Sequence, residues 1–174
     1  MVGFSVGEIK PRQRCLVQVL SKIDFTGKKL LHLSDDGPLI EALYEKFGEV
    51  EQSIYEGKNS LDLTEIDRSD NTYDVILCVH ILEHIENDSK AINELYRVLT
   101  VKGKLFIMVP QPAVFQNTMD WGYPDPNQHE HYRIYGKDIV DKLVRNNVNV
   151  EAHLVTDEIT FKKELVYEIT KESL

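Results

Sequence analysis

The sequence predicts an α/β protein with a doubly wound, mostly parallel sheet that finishes in an antiparallel strand pair. Three observations carry this expectation. Apolar runs of strand length alternate with segments of helical spacing through most of the chain. The run "TYDVILCVH" is β-branched and nearly continuous in apolar residues, as a central strand covered on both faces requires. Near the C-terminus, "VNVEAHLV" and "KELVYEIT" follow each other with only a short connection, which suits a hairpin.

The elements follow in order. "RQRCLVQVLSKI" sets Cys15, Leu16, Val19, Leu20 and Ile23 on one helical face, and "DFTG" closes it. "KKLLHLS" is a short buried strand. "PLIEALYEKFG" opens with Pro38 in a first-turn position, places Leu39, Leu43 and Phe47 together, and stops at Gly48, so a helix is expected. "VEQSIYE" reads as a second strand and "SLDLTEI" as a short segment. After the central strand, "DSKAINELYRVLT" spaces Ala91, Ile92, Leu95, Val98 and Leu99 as a helix, with Asp88 or Ser89 as its cap. "VKGKLFIMVP" is a turn leading into another buried strand. "QPAVFQNTMDWGYPDPNQHEHYR", with its three prolines, is expected to be irregular, and "GKDIVDKLVRNN" to be a helix.

Composition limits the function. A chain of 174 residues with 42% hydrophobic and 28% charged residues fits one globular domain. A net charge of −9 supplies no basic face for a nucleic-acid groove. Cys15 and Cys78 are the only cysteines and lie far apart, so neither a disulfide framework nor a cysteine-based metal site is indicated. No apolar run reaches signal-peptide or membrane-span length. A cytoplasmic protein without nucleic-acid or membrane partners is expected.

In doubly wound sheets, ligands bind beyond the carboxyl ends of the strands. His32 to Gly37, His80 to His84 and the segment after Pro110 all fall there, so three stretches converge on one crevice. The stretch "HILEH" also matches the H-x-x-E-H spacing of certain zinc peptidases. A hydrolase of that kind needs His80 and His84 on one helical face, Glu83 as general base and another ligand, for which His129 and His131 are available. His80 follows a buried strand directly, which puts the next residues in a turn. The spacing is therefore read as coincidence, and no metal is assigned.

The forty residues "NTYDVILCVHILEHIENDSKAINELYRVLTVKGKLFIMVP" resemble the central segment of class I S-adenosylmethionine-dependent methyltransferases of the small-molecule, type 11-like kind. Tyr73-Asp74 opens the family phrase and Leu82-Glu83-His84 closes it, while Glu94, Arg97, Val98, Leu99 and Gly103 match the helix and turn that follow. "HEHYRIYGKDIVDKLVRNNVNV" is similar to a later family segment. The resemblance implies a Rossmann-like fold, reduced in size, and S-adenosylmethionine as cofactor. It implies one domain over 1–174, with a helical lead-in at 1–27, a cofactor-binding half at 28–110, an acceptor-side loop at 111–135, and a C-terminal helix and strand pair at 136–174. Carried over by position, His32, Ser34, Gly37, Glu56, Asp62, His80 and Leu82 are the expected cofactor residues, with Glu51 second to Glu56 for the ribose. His84, His129 and His131 are the expected catalytic residues, because imidazole suits proton removal near neutrality. Tyr132, Arg133 and Tyr135 would orient an acceptor, and Phe115, Trp121 and Tyr123 would offer it aromatic surface.

The chain departs from the family at the first strand. The usual acidic residue and glycine-rich loop are replaced by "HLSDDGPL", where Ser34 and Asp36 stand in glycine positions and only Gly37 remains. Asp35 and Asp36 put negative charge close to where the cofactor carboxylate would lie, which opposes binding unless an amino group or a cation compensates. The short interval from Glu56 to Asp62 leaves no room for the usual helix, so this sheet edge is expected to be cut down. Three functions follow: methyl transfer to a small-molecule acceptor; a degenerate, non-catalytic binding or scaffold subunit; and, third, the zinc hydrolase. The short N-terminal segment implies an acceptor pocket that is open or completed by a partner, and the reduced edge suits a homodimer or partner protein.

Overall fold

The computed structural model describes residues 9–55, 57, 59–110 and 114–173. Six strands form one sheet in the order β2-β1-β3-β4-β8-β7: β1 (Lys29–His32), β2 (Glu49–Gln52), β3 (Tyr73–Val79), β4 (Leu99–Met108), β7 (Val148–Thr156) and β8 (Lys163–Lys171). The first four are parallel, β8 runs antiparallel to β4, and β7 antiparallel to β8. The doubly wound sheet and its C-terminal antiparallel pair are thus present.

Period-two alternation along the central strands feeds two cores. Val75, Leu77 and Val79 of β3, with Phe106 and Met108 of β4, face α1 (Pro11–Leu20) and α2 (Pro38–Glu41). Ile76 and Cys78, with Leu105 and Ile107, face α3 (Asp88–Val98) and α4 (Ile139–Leu143). This two-sided burial explains why β3 from Val75 to Val79 and β4 from Leu105 to Met108 are apolar at every position rather than at alternate ones.

Several elements differ from expectation. α2 is one turn long, followed by a 3-10 turn at Tyr44–Lys46, because Gly48 N–H already pairs with the Lys28 carbonyl and returns the chain to the sheet. α3 is capped by Asn87, whose side chain accepts from Lys90 N–H at 3.0 Å, and not by Asp88 or Ser89. Asp88 instead turns inward to Tyr135 Oη (2.7 Å) and Lys142 Nζ (2.7 Å). The segment expected to be irregular holds a two-stranded antiparallel ribbon, β5 (Met119–Asp125) and β6 (His131–Ile134), joined through a 3-10 turn at Pro126–Gln128. Between β2 and β3 the described residues form no strand, so the sheet ends at β2, a strand of four residues. Among the described residues, no helix is long and apolar enough to cross a membrane.

Candidate functional site

The crevice lies where β1 and β3 end, and the β5–β6 ribbon packs on the turn that follows β3. Its first wall is the loop after β1. His32 is fully buried, with Nδ1 2.6 Å from Tyr44 Oη and Nε2 3.0 Å from Asp36 Oδ2. Ser34 Oγ donates to the same Asp36 oxygen. Burial opposes charge on Asp36, but hydrogen bonds from His32 and Ser34 outweigh it and hold this carboxyl below its ordinary pKa. His32, in place of the usual acid, and Ser34 and Asp36, in place of glycines, thus satisfy each other. Gly37 keeps the property that matters at its position, a φ of +73° that begins α2.

The second wall is the turn after β3. His80 has a φ of +55°, a left-handed conformation that is uncommon for a side-chain-bearing residue. It ends the strand abruptly and aims the following 3-10 turn, Leu82–His84, into the crevice. His80 and His84 therefore do not share a helical face, and the arrangement required of a zinc peptidase helix is absent. Leu82 is wholly buried and acts through packing and its carbonyl. Glu83 is 1% exposed, and neither carboxylate oxygen has a hydrogen-bond partner among the described residues. Burial pushes its pKa up to about 8. His80 lies beside it, Nδ1 3.7 Å from Glu83 Oε1, and burial pulls its pKa down to about 4.

The third wall is the ribbon. His129 and Glu130 both take left-handed backbone conformations at its tip (φ +58° and +61°), which turns His131 back toward His84. The His84 and His131 rings meet edge to face with centroids 4.6 Å apart, and His129 lies 5.9 Å from His131. Two chain segments thus bring His84, His129 and His131 together. Burial lowers the pKa of both His84 and His131, the latter to about 4 with help from its two histidine neighbours.

Arg133 and Tyr135 do not face an acceptor. Arg133 is buried and donates to the carbonyls of Leu82 (3.2 Å), Ile85 and Glu86 (2.7 Å) and to Asp120 (2.6 Å). Tyr135 is fully buried against Asp88. Together they clamp the ribbon to the turn carrying Glu83 and His84. Trp121 donates its indole N–H to the His131 carbonyl at 2.8 Å, bracing the ribbon from within, while Tyr123 remains exposed.

The acids expected at the ribose and adenine sites stand apart from this cluster. Glu56 lies outside the described residues. Glu51 is engaged by Arg68 (3.1 Å) and by Tyr73 Oη (2.6 Å). Asp62 is exposed and accepts from Thr64 N and Oγ1 at 2.8 Å each, closing its own turn. The matching helix residues Glu94 and Arg97 are structural as well: Arg97 pairs with Glu94 and donates to the carbonyls of Ile66 and Arg68.

Sequence reasoning missed Arg12. From the first turn of α1 its guanidinium stands 3.9 Å from Asp36, its Nε is buried without a partner among the described residues, and its charge acts on both His80 and Glu83. A cation thus stands beside the acidic loop, where the sequence left open an amino group or a cation. The signal was the sequence "PRQR" at a helix start, with Gln13 beside it donating to the Asp36 carbonyl. Gln52 at the end of β2 was also missed; its amide donates to the Ser34 carbonyl at 3.1 Å.

A parallel sheet with an antiparallel tail, and a crevice beyond its carboxyl ends, define a class I S-adenosylmethionine-dependent methyltransferase-like domain, here reduced by a strand edge. A family model described as a methyltransferase domain matches residues 16–150, and the chain belongs to that family. An uncharacterized protein of Methanocaldococcus jannaschii, MJ0638, is 43% identical over 56 residues, which is 32% of this chain and 24% of that one. The match thus spans about a quarter of that relative's length. Among solved structures, the Burkholderia thailandensis 1,6-didemethyltoxoflavin-N1-methyltransferase, with 1,6-didemethyltoxoflavin and S-adenosylhomocysteine bound, has a TM-score of 0.67 at 15% identity, covering 95% of this chain and 79% of its own. An Aquifex aeolicus SAM-dependent methyltransferase scores 0.59 at 17% identity, covering 96% and 99%. The [4+2]-cyclase SpnF scores 0.63 at 12% identity, covering 94% and 82%. A cyclase within this set shows that the fold does not by itself fix the reaction.

Proposed function

We propose that the protein binds S-adenosylmethionine in this crevice and transfers its methyl group to a small-molecule acceptor. The observation that carries the proposal is the convergence of Arg12, His80 and the three-histidine cluster on the carboxyl ends of β1 and β3. The cofactor supplies an electrophilic methyl on a sulfonium. Arg12 would hold its carboxylate, offsetting Asp36, and the backbone at Gly37 would approach its amino-acid part. His32 and Ser34 would act indirectly by fixing Asp36, since their polar atoms are already partnered. Asp62 and Glu56 would serve the adenosine end. His84, His129 and His131 face the acceptor side, where an imidazole can take the proton that an acceptor hydroxyl or amine loses. A cytoplasmic location belongs to this proposal, and so does the β2 edge as the place where a second chain would pair.

The self-satisfied loop of His32, Ser34 and Asp36 favours the alternative, a non-catalytic binding or scaffold subunit that has lost the cofactor. Calorimetric titration of the metal-free protein with S-adenosylmethionine and S-adenosylhomocysteine separates the two. Micromolar binding, weakened about tenfold by Arg12→Ala and reduced by Asp62→Ala, is the expected result. No heat and no thermal shift at millimolar ligand would leave the scaffold role standing and remove the enzyme.

A further inference from the structure

We infer that Glu83, His84 and His131 form a binding site for a divalent transition-metal ion of the zinc type. Each offers one ligand atom, and the three atoms lie within 4.8 Å of one another. The set differs from the one the sequence spacing suggests: His80 is not part of it, and the third ligand comes from the β5–β6 ribbon. Two imidazoles and one carboxylate are the donor set of three-ligand zinc and non-haem iron centres, and a poor match to the all-oxygen preference of magnesium or calcium.

The independent observation is Glu83. A carboxylate that is 1% exposed and has no hydrogen-bond partner for either oxygen among the described residues is an arrangement that folded proteins avoid unless something charged or polar meets it. Arg12 and Arg133 are near enough to influence it, but neither bonds to it. A cation at the junction of Glu83, His84 and His131 would supply the missing partner for that carboxylate. His80 Nδ1 stands 3.7 Å from Glu83 Oε1, beyond hydrogen-bond distance, so it does not fill that role.

The surroundings are built to hold these groups. Arg133 fixes the turn carrying Glu83 and His84 through the carbonyls of Leu82, Ile85 and Glu86, and Trp121 fixes the backbone of His131. Tetrahedral zinc needs ligand atoms roughly 3.4 Å apart at bond lengths of about 2.1 Å. Exposed His84 and half-buried His131 can close the remaining distance by turning their side chains. Three protein ligands leave at least one position open, on the acceptor side of the crevice. If the methyl-transfer proposal holds, an acceptor oxygen fills that position, and of the three histidines only His129 remains to handle a proton. Metal binding itself does not depend on that proposal.

A second group within ligand distance, Glu151, His153 and Glu168, serves as the control. There Glu168 is already engaged by Lys104 and by His153 at 2.9 Å, so no partner is missing.

The test is a zinc titration of the full chain after chelator treatment, in the absence of S-adenosylmethionine, so that its outcome is separate from cofactor binding. One equivalent per chain is expected, with affinity falling about tenfold or more in each of His84→Ala and His131→Ala, and unchanged in His153→Ala. Glu83→Gln should also weaken binding. Because His84 is exposed, His84→Ala keeps its fold even if the buried substitution at Glu83 does not. No binding by the wild-type chain at millimolar zinc would overturn the site. So would binding that survives both histidine substitutions or is abolished by His153→Ala.

Discussion

Arg133 shows how much of the crevice rests on one side chain. It is 2% exposed and meets three carbonyls and one carboxylate in a forked geometry that only a guanidinium can reproduce. Replacing it with Met would take the charged donor from the carbonyls of Leu82, Ile85 and Glu86 and leave Asp120 without its cation. A loss of about 3 kcal/mol in unfolding free energy is expected, read by urea denaturation. Arg133→Lys should recover less than half of it, because an ammonium cannot reach the separate acceptors together. Equal stability of the Lys and Arg forms would mean that the charge matters and the fork does not. The sequence places Arg133 beside the histidines but does not show which way it faces, and an acceptor-orienting role was the natural expectation. Burial decided otherwise, and a single sequence carries no signal for it. Glu83 is the converse case. The motif singles it out, and only the fold reveals that its carboxylate is enclosed without a partner among the described residues.

At the scale of elements, the ribbon depends on its junction with α4. Thr118 N–H donates to Asp138 at 2.8 Å, Thr118 Oγ1 donates to the same carboxylate at 2.6 Å, and Gly136 N–H donates to Thr118 Oγ1 at 3.1 Å. A Cβ on Gly136 would stand 2.4 Å from the Asn117 carbonyl carbon, which is backbone and cannot step aside. Gly136→Ala should therefore cost about 2 kcal/mol or more and loosen the ribbon in particular. Hydrogen exchange would show it: β5 and β6 amides should lose protection while β3 and β4 keep theirs. Uniform loss of protection would place the damage in the main sheet instead. The ribbon was illegible because β5, "MDWGYPD", contains Gly122 and Pro124, is mostly exposed, and pairs with an irregular register. Such a ribbon has no buried face to impose alternation. β3, β4 and α3 were legible because each lies against a core that selects its residues at every buried position. α2 fell short because Gly48 N–H returns the chain to the sheet at the Lys28 carbonyl, and Tyr44, expected to continue the helix, is bound to His32 instead.

Across the whole molecule, the first helix and the turn between β7 and β8 are joined by a buried ion pair. Arg14 of α1 reaches Asp157, just past β7, with Nε–Oδ1 at 2.6 Å and Nη2–Oδ2 at 2.9 Å, and Thr160 N–H adds a bond at 2.8 Å. Asp157 is fully enclosed. This link matters to the crevice because α1 also carries Arg12, so whatever seats the helix also sets the cation opposite Asp36. The hydrogen bond from Arg14 holds the Asp157 carboxyl well below its ordinary range, despite burial that acts in the opposite direction. The sign follows from linkage. Below the unfolded value of about 3.9 the unfolded chain takes up a proton that the native carboxylate still refuses. The stabilisation is therefore complete above about pH 4 and declines as pH falls beneath it. Asp157→Asn should be less stable than the wild type by a constant margin from neutrality down to that point. The two urea midpoints should then converge as pH falls further, because acid erodes in the wild type the interaction that the variant already lacks. A margin that stays constant into strong acid would mean that Asp157 contributes only as a hydrogen-bond acceptor, and that seating α1 does not depend on its charge.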